Sequence, residues 1–245
     1  MNENELTKED MISLLTDLNR MQLERRSYIQ KYYKLRKLHS EVVDSMLKYM
    51  TSSKYSIEES LNKVMPSVSK EINYTYKKLD INDEDDGNIL AELLIYKNHP
   101  YLQSVTEIYM EKQKFKSKSK IKMLECMNNS YVGLFKVIKT DAKEGYITLE
   151  DVFTKKTFKV IDVALSSSFK VENNPTLYTY NRIITYDNIS YTTGIHCIMS
   201  SNNKKLMKFI DTHKYNECSD FSRCLMLYKI SKQKQDVSVV FNHNF

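Results

Sequence analysis

Apolar residues recur along the first fifty positions at alternating spacings of three and four. Met11, Leu14, Leu18, Met21, Arg25, Tyr28, Tyr32, Leu35, His39, Val42, Met46 and Tyr49 form the series. Its period of about 3.5 residues keeps one seam of a helix turned toward a partner helix. Arg25 and His39 are polar interruptions of that seam. Tyr and Met specify a dimer seam poorly, so two readings stand: a long helix packed on its own chain, or a coiled coil between copies that makes a homo-oligomer through residues 11–50. Thr7 and Asp10 at the start have the spacing of a capping box, in which each side chain satisfies an amide the helix leaves unpaired.

Ser56 and Glu59 repeat the cap spacing, and Pro66 is expected to stop or kink the helix they open. A third helix is expected from about Val68 to Leu79. An acidic loop then leads through Gly87 into residues 88–99, and Pro100 is expected to open a last helix running toward Met127. Residues 1–128 therefore read as all helical. Short connections favour antiparallel neighbours, hence a bundle with one protruding hairpin.

After Asn128, Asn129 and Ser130 the period changes to two. Residues 132–139, 146–153 and 157–163 alternate or run apolar, and 176–186 joins 189–199 across Asp187-Asn188, a good tight-turn pair. Residues 203–214 and 220–232 read as two closing helices. The fold class is therefore α+β. An N-terminal helical bundle or coiled-coil region (1–128) precedes a small five-stranded antiparallel β-domain (about 131–200 within 129–245) and the closing helices. In architecture the β-domain resembles a meander, a sandwich or an SH3-like or OB-like barrel, and such barrels host many functions.

Composition adds bounds. With 41% apolar residues, 245 residues can bury at least one core. The net charge of +6 is modest for this size, and it is unevenly spread: 21 basic against 20 acidic residues in 1–130, 8 against 7 in 131–201, and 8 against 4 in 202–245. Local blocks carry more weight. Residues 20–37 hold seven Lys/Arg and one Glu, and residues 112–122 hold six lysines, whereas Asp80, Asp83, Glu84, Asp85, Asp86 and Glu92 form an acidic stretch. Blocks of one sign attract polyanions or complementary protein surfaces. No apolar run approaches the ~18 residues that would span a bilayer. The acidic start is unlike a secretory signal, so no membrane and a cytoplasmic location are expected. Cys126, Cys197, Cys218 and Cys224 are sparse and irregular, which suits a reducing compartment.

Motifs for catalysis, cofactors or metals are weak. Gly87, Gly133, Gly145 and Gly194 are scattered, which excludes a glycine-rich phosphate loop. A calcium loop starting at Asn82 lacks its bidentate Glu, since Leu93 stands at the twelfth position. His213, Cys218 and Cys224 lack the paired short spacings of zinc sites, and the two cysteines are expected to line the terminal helices. His196 and Cys197 are strand neighbours that point to opposite faces, so they cannot act as base and nucleophile together. Asp141-Ala142-Lys143 has the acid-x-Lys spacing of metal-dependent nucleases, without a local acidic partner. No catalytic residue, metal or cofactor is assigned, and the chain reads as non-enzymatic.

Binding surfaces remain. Opposite the seam, Arg20, Arg26, Lys34 and Lys37 with Tyr33 form a basic stripe that carries an aromatic. Lys112, Lys114, Lys116, Lys118, Lys120 and Lys122 would all lie on one side of an extended ribbon, or form a soluble helix end. Tyr178, Tyr180, Arg182 and Tyr186 share one strand face with Ile184: outward they would be a stacking platform, inward a Tyr-rich core. The expectation is a nucleic-acid-binding protein acting through the Lys/Arg blocks. The alternative is a protein-interaction subunit or inhibitor acting through its coiled-coil and charged surfaces.

Overall fold

The computed structural model describes residues 8–52, 57–71, 84–96, 98–112, 116–168, 176–193, 195–212, 218–232 and 239–241, with side chains from Ser27 onward in the first helix. That helix, α1 (Lys8–Ser52), has 45 residues. At 1.5 Å per residue it is about 67 Å long. Along its second half the seam faces the chain's own core: Tyr32, His39, Val42 and Met46 are buried, and Tyr28 and Leu35 pack against the same cluster. The Thr7 and Ser56 caps and the side chains of Met11 to Arg25 lie outside the described residues.

The helices that follow differ from the sequence expectation in their ends. Pro66 lies inside α2 (Ile57–Glu71). A proline removes one amide donor and crowds the carbonyl four residues back, which a helix can absorb by bending; Pro66 itself faces solvent. The expected third helix supplies only the end of α2, because residues 72–83 lie outside the described residues. Gly87 belongs to α3 (Glu84–Ile95) and not to a loop before it. The last helix opens five residues after Pro100, as α4 (Val105–Lys112). Ser104 and Glu107 fix that start: the Ser104 amide donates to Glu107 Oε2 at 2.9 Å, and the Glu107 amide donates to Ser104 Oγ at 3.1 Å. This reciprocal cap overrides the first-turn preference of proline. A separate helix, α5 (Lys118–Asn128), begins at an Ser117 cap.

Strands begin at Tyr131, where the periodicity changes. They are β1 (Tyr131–Asp141), β2 (Tyr146–Asp151), β3 (Thr157–Ile161), β4 (Leu177–Tyr186), β5 (Ile189–Thr192), β6 (Ile195–Ser200) and β7 (Val239–Phe241). A short helix, α6 (Val163–Ser168), joins β3 to β4, and Asp162 caps it by accepting from the Leu165 amide at 2.8 Å. The expected fifth strand is thus two, β5 and β6. The closing helices are α7 (Lys204–Asp211) and α8 (Asp220–Ser231), where the sequence places them.

The sheet order is β1-β2-β3-β5-β4-β6-β7, and β1 also pairs with β4. Five strands therefore close on themselves as β1-β2-β3-β5-β4-β1. The closing β3–β5 pair is parallel, Ile161 against Tyr191, while the other barrel pairs are antiparallel. One parallel pair is required by closure, since a ring of five strands cannot alternate direction at every pair. This order, with a helix between the third and fourth strands, closes a five-stranded barrel whose topology resembles the Greek-key barrel of an OB-fold.

Two buried clusters result. Inside the barrel lie Phe135, Val137, Ile147, Leu149, Val160, Leu165, Ile183 and Ile198. The larger cluster lies outside it, where Leu134, Tyr180, Ile184, Tyr191, Cys197 and Met199 meet the helices. Core packing is continuous across the change from helix to strand.

Candidate nucleic-acid interface

Strand alternation gives the barrel wall two surfaces with opposite fates. On β4, β5 and β6 the outward residues Tyr180, Arg182, Ile184, Tyr191, Cys197 and Met199 are buried. They are covered by the helical layer, so the β4 face is a core surface and not a stacking platform; Tyr178 and Tyr186 at its ends are half-buried. On the second half of β1 and on β2 and β3 the outward residues are Lys136, Lys139, Asp141, Tyr146, Thr148, Glu150, Thr157, Lys159 and Ile161; of these Ile161, against Tyr191 at the covered end, is buried and the others are not.

Register aligns them. Lys139 pairs with Thr148, which pairs with Lys159; Lys136 pairs with Glu150, which pairs with Thr157. Strands lie about 4.8 Å apart, so Lys139 and Lys159 stand about 10 Å from each other across the row. A bulge between Val137 and Lys139 turns Ile138 to solvent and restores the lysines to one face. The β1–β2 turn adds the exposed Lys143, with Gly145 at φ +71°. Glu150 is met by Lys155 at 3.9 Å. Among the described residues no carboxylate pairs with Lys136, Lys139 or Lys159. The Lys159 ammonium lies 4.2 Å from the centroid of the Tyr146 ring, a cation–π contact that holds one end of the row.

The residues singled out from the sequence are distributed differently. Tyr33, Lys34 and Lys37 are exposed on α1. At about 100° per residue, Arg26, Tyr33 and Lys37 share the helix side opposite the buried seam, with Arg20 and Lys34 on its flank; the side chains of Arg20 and Arg26 are outside the described residues. The lysine run is not one extended ribbon. Lys112 ends α4, Lys116 lies in the connection, and Lys118, Lys120 and Lys122 are helical in α5, while Lys114 is outside the described residues. A helix scatters alternate residues around its circumference. Lys122 is also engaged: it donates to Asp187 in the β4–β5 turn and lies 5.0 Å from the Tyr186 ring centroid.

Lys136, Lys139, Lys143 and Lys159 escape a sequence search for charge blocks because apolar, polar and acidic residues separate them. Their signal is the polar half of the strand alternation, which becomes a cluster only when register is known.

Beneath the helices lies a buried polar network. Arg182 donates to Glu92, to Asn98 Oδ1 and, at 3.0 Å, to Ser130 Oγ, and its guanidinium lies over the Tyr96 ring at 4.4 Å. Burial opposes the Arg182 charge, and Glu92 restores it. The Tyr96 hydroxyl meets His39 Nε2 at 2.9 Å, and burial followed by the nearby Arg36 lowers the His39 pKa to about 3. Burial pushes the Cys126 and Cys224 thiols up, away from the reactive thiolate. Among the described residues no group of three or more His, Cys, Asp or Glu could hold a metal ion.

These features define a class: a helical layer fused to one side of an OB-like barrel whose opposite side is open and lysine-bearing. The chain belongs to a family of unknown function, DUF7986, whose model matches residues 26–241. No curated protein and no solved structure matches it.

Proposed function

We propose that this is a non-catalytic nucleic-acid-binding protein that holds its ligand on the open β1–β2–β3 face. The observation that carries the reading is the placement of Lys136, Lys139 and Lys159 across three adjacent strands, beside Lys143, on the barrel surface the helices leave uncovered. OB-folds bind oligonucleotides on the face of their second and third strands and the loops beside it. Glu150 stands opposite Lys136 and is itself met by Lys155; lysines that form no ion pair among the described residues release bound counterions when phosphates replace them. The α1 stripe of Arg20, Arg26, Tyr33, Lys34 and Lys37, with the exposed Lys112, Lys116 and Lys118, extends the basic surface available to a long strand. We assign the protein to the cytoplasm, where its four free cysteines stay reduced. Among the described residues no helix is long and apolar enough to cross a membrane.

The test is a salt titration of binding to single-stranded and duplex oligonucleotides, with wild type and a Lys136→Gln, Lys139→Gln, Lys159→Gln variant. Affinity should fall linearly with log salt, by about 0.7 to 0.9 per phosphate contacted, and the variant should flatten that slope by up to about three contacts. Absence of salt-sensitive binding overturns the reading in favour of a protein partner for the same charged surface.

A further inference from the structure

Resting on that reading, we infer that the barrel face recognises the sugar–phosphate backbone and leaves the bases unstacked, so that its binding is indifferent to base identity and even to the presence of a base. Single-strand binders on this kind of barrel combine a basic groove with aromatic side chains on which bases stack. The basic half is present here. The aromatic half is already occupied from within.

Each described aromatic ring on the barrel is either buried or engaged. Phe135, Tyr180 and Tyr191 are buried. Tyr146, which borders the lysine row, has the Tyr28 ring at 5.2 Å and the Lys159 ammonium at 4.2 Å. Tyr131 and Phe158 stack on each other at 4.9 Å, with Lys156 at 5.3 and 4.8 Å from their centroids. Lys122 lies over Tyr186, and Tyr178 packs against the core cluster. Among described residues the exposed large apolar side chains are Tyr33, Leu47, Tyr101 and Ile138; of these Ile138 alone lies on the barrel, and it is aliphatic. Beside the Asp141 and Glu150 carboxylates, the face offers a ligand ammonium groups and the hydroxyls of Thr148 and Thr157, donors that suit phosphate oxygens.

The experiment compares the full chain binding a thymidine homopolymer and a same-length oligonucleotide of abasic sites, at one low salt concentration. A stacked base contributes an affinity factor of about five or more. Equal affinities for the two ligands, both weakened alike by Lys139→Gln with Lys159→Gln, are expected. A Tyr33→Ala variant separates the barrel from α1: a base preference that this variant abolishes places stacking on the helix and upholds the inference. A preference that persists in Tyr33→Ala overturns it, as does binding that the two lysine changes leave untouched. Failure to bind either oligonucleotide would instead defeat the nucleic-acid reading as a whole.

Discussion

Arg182 on β4 and Glu92 on α3 form an ion pair in which both side chains are almost wholly buried, 90 residues apart in sequence. The pair ties the helical layer to the outer wall of the barrel, and Asn98 completes it: its side-chain amide donates to the Glu92, Leu93 and Tyr96 carbonyls at the end of α3 while its oxygen accepts from Arg182. Removing one partner strands a charge in a medium that cannot solvate it. Glu92→Gln or Arg182→Ala should therefore destabilise the protein by about 3 to 5 kcal/mol, whereas a joint Glu92→Leu, Arg182→Met replacement should lose less than either alone. Urea denaturation of the three variants gives the comparison.

His39 makes stability depend on acid. Its pKa falls from 6.5 to about 3 on folding, first through burial and then through Arg36. The unfolded chain therefore binds the proton that the folded chain refuses. The stabilisation is fully present above pH 6.5 and is lost as pH falls toward 3, by up to about 1.4 kcal/mol per pH unit. His39→Gln, neutral throughout, should show a shallower loss between pH 6.5 and 4 in urea midpoints. His39→Leu would in addition leave the Tyr96 hydroxyl without its 2.9 Å partner. The polar interruption of the seam at His39 is thus a group hydrogen-bonded within the core.

Gly133 is required by a close approach. A Cβ there would stand 2.6 Å from Asp151 Oδ2 and 3.2 Å from Phe135 Cζ. Asp151 cannot easily turn away, because Oδ1 accepts from the Phe153 and Thr154 amides at 2.9 and 2.7 Å and Oδ2 from the Tyr131 hydroxyl at 3.0 Å. Gly133→Ala should cost about 1 to 3 kcal/mol, the range for overpacking, and lower the melting temperature.

Within the lysine run, position decides consequence. Lys122→Gln should loosen the β4–β5 hairpin from α5, seen as faster hydrogen exchange at Tyr186 to Ile189, since it removes the contacts to Asp187 and the Tyr186 ring. Lys118→Gln, at an exposed site, should leave that exchange unchanged. Equal exchange in both variants would show that the Lys122 contact does not hold the hairpin.

The element types were legible in the sequence because hydrophobic period reports them directly. The heptad series of α1, the change at Asn128 to Tyr131 and the two closing helices follow from which residues avoid water at periods near 3.5 or 2, and the Asp187-Asn188 turn from the turn preference of that pair. Helix ends were less legible where two local signals competed, as at Pro100 against the Ser104 and Glu107 cap. Tertiary structure alone decided the rest. Burial of Tyr180, Arg182 and Ile184 under helices, rather than inside the barrel, depends on which layer covers which face, and period two is silent on that. The lysine row arises the same way: Lys139 and Lys159 are 20 positions apart and meet only through Thr148, because register is set by pairing between strands and not by any feature of one strand.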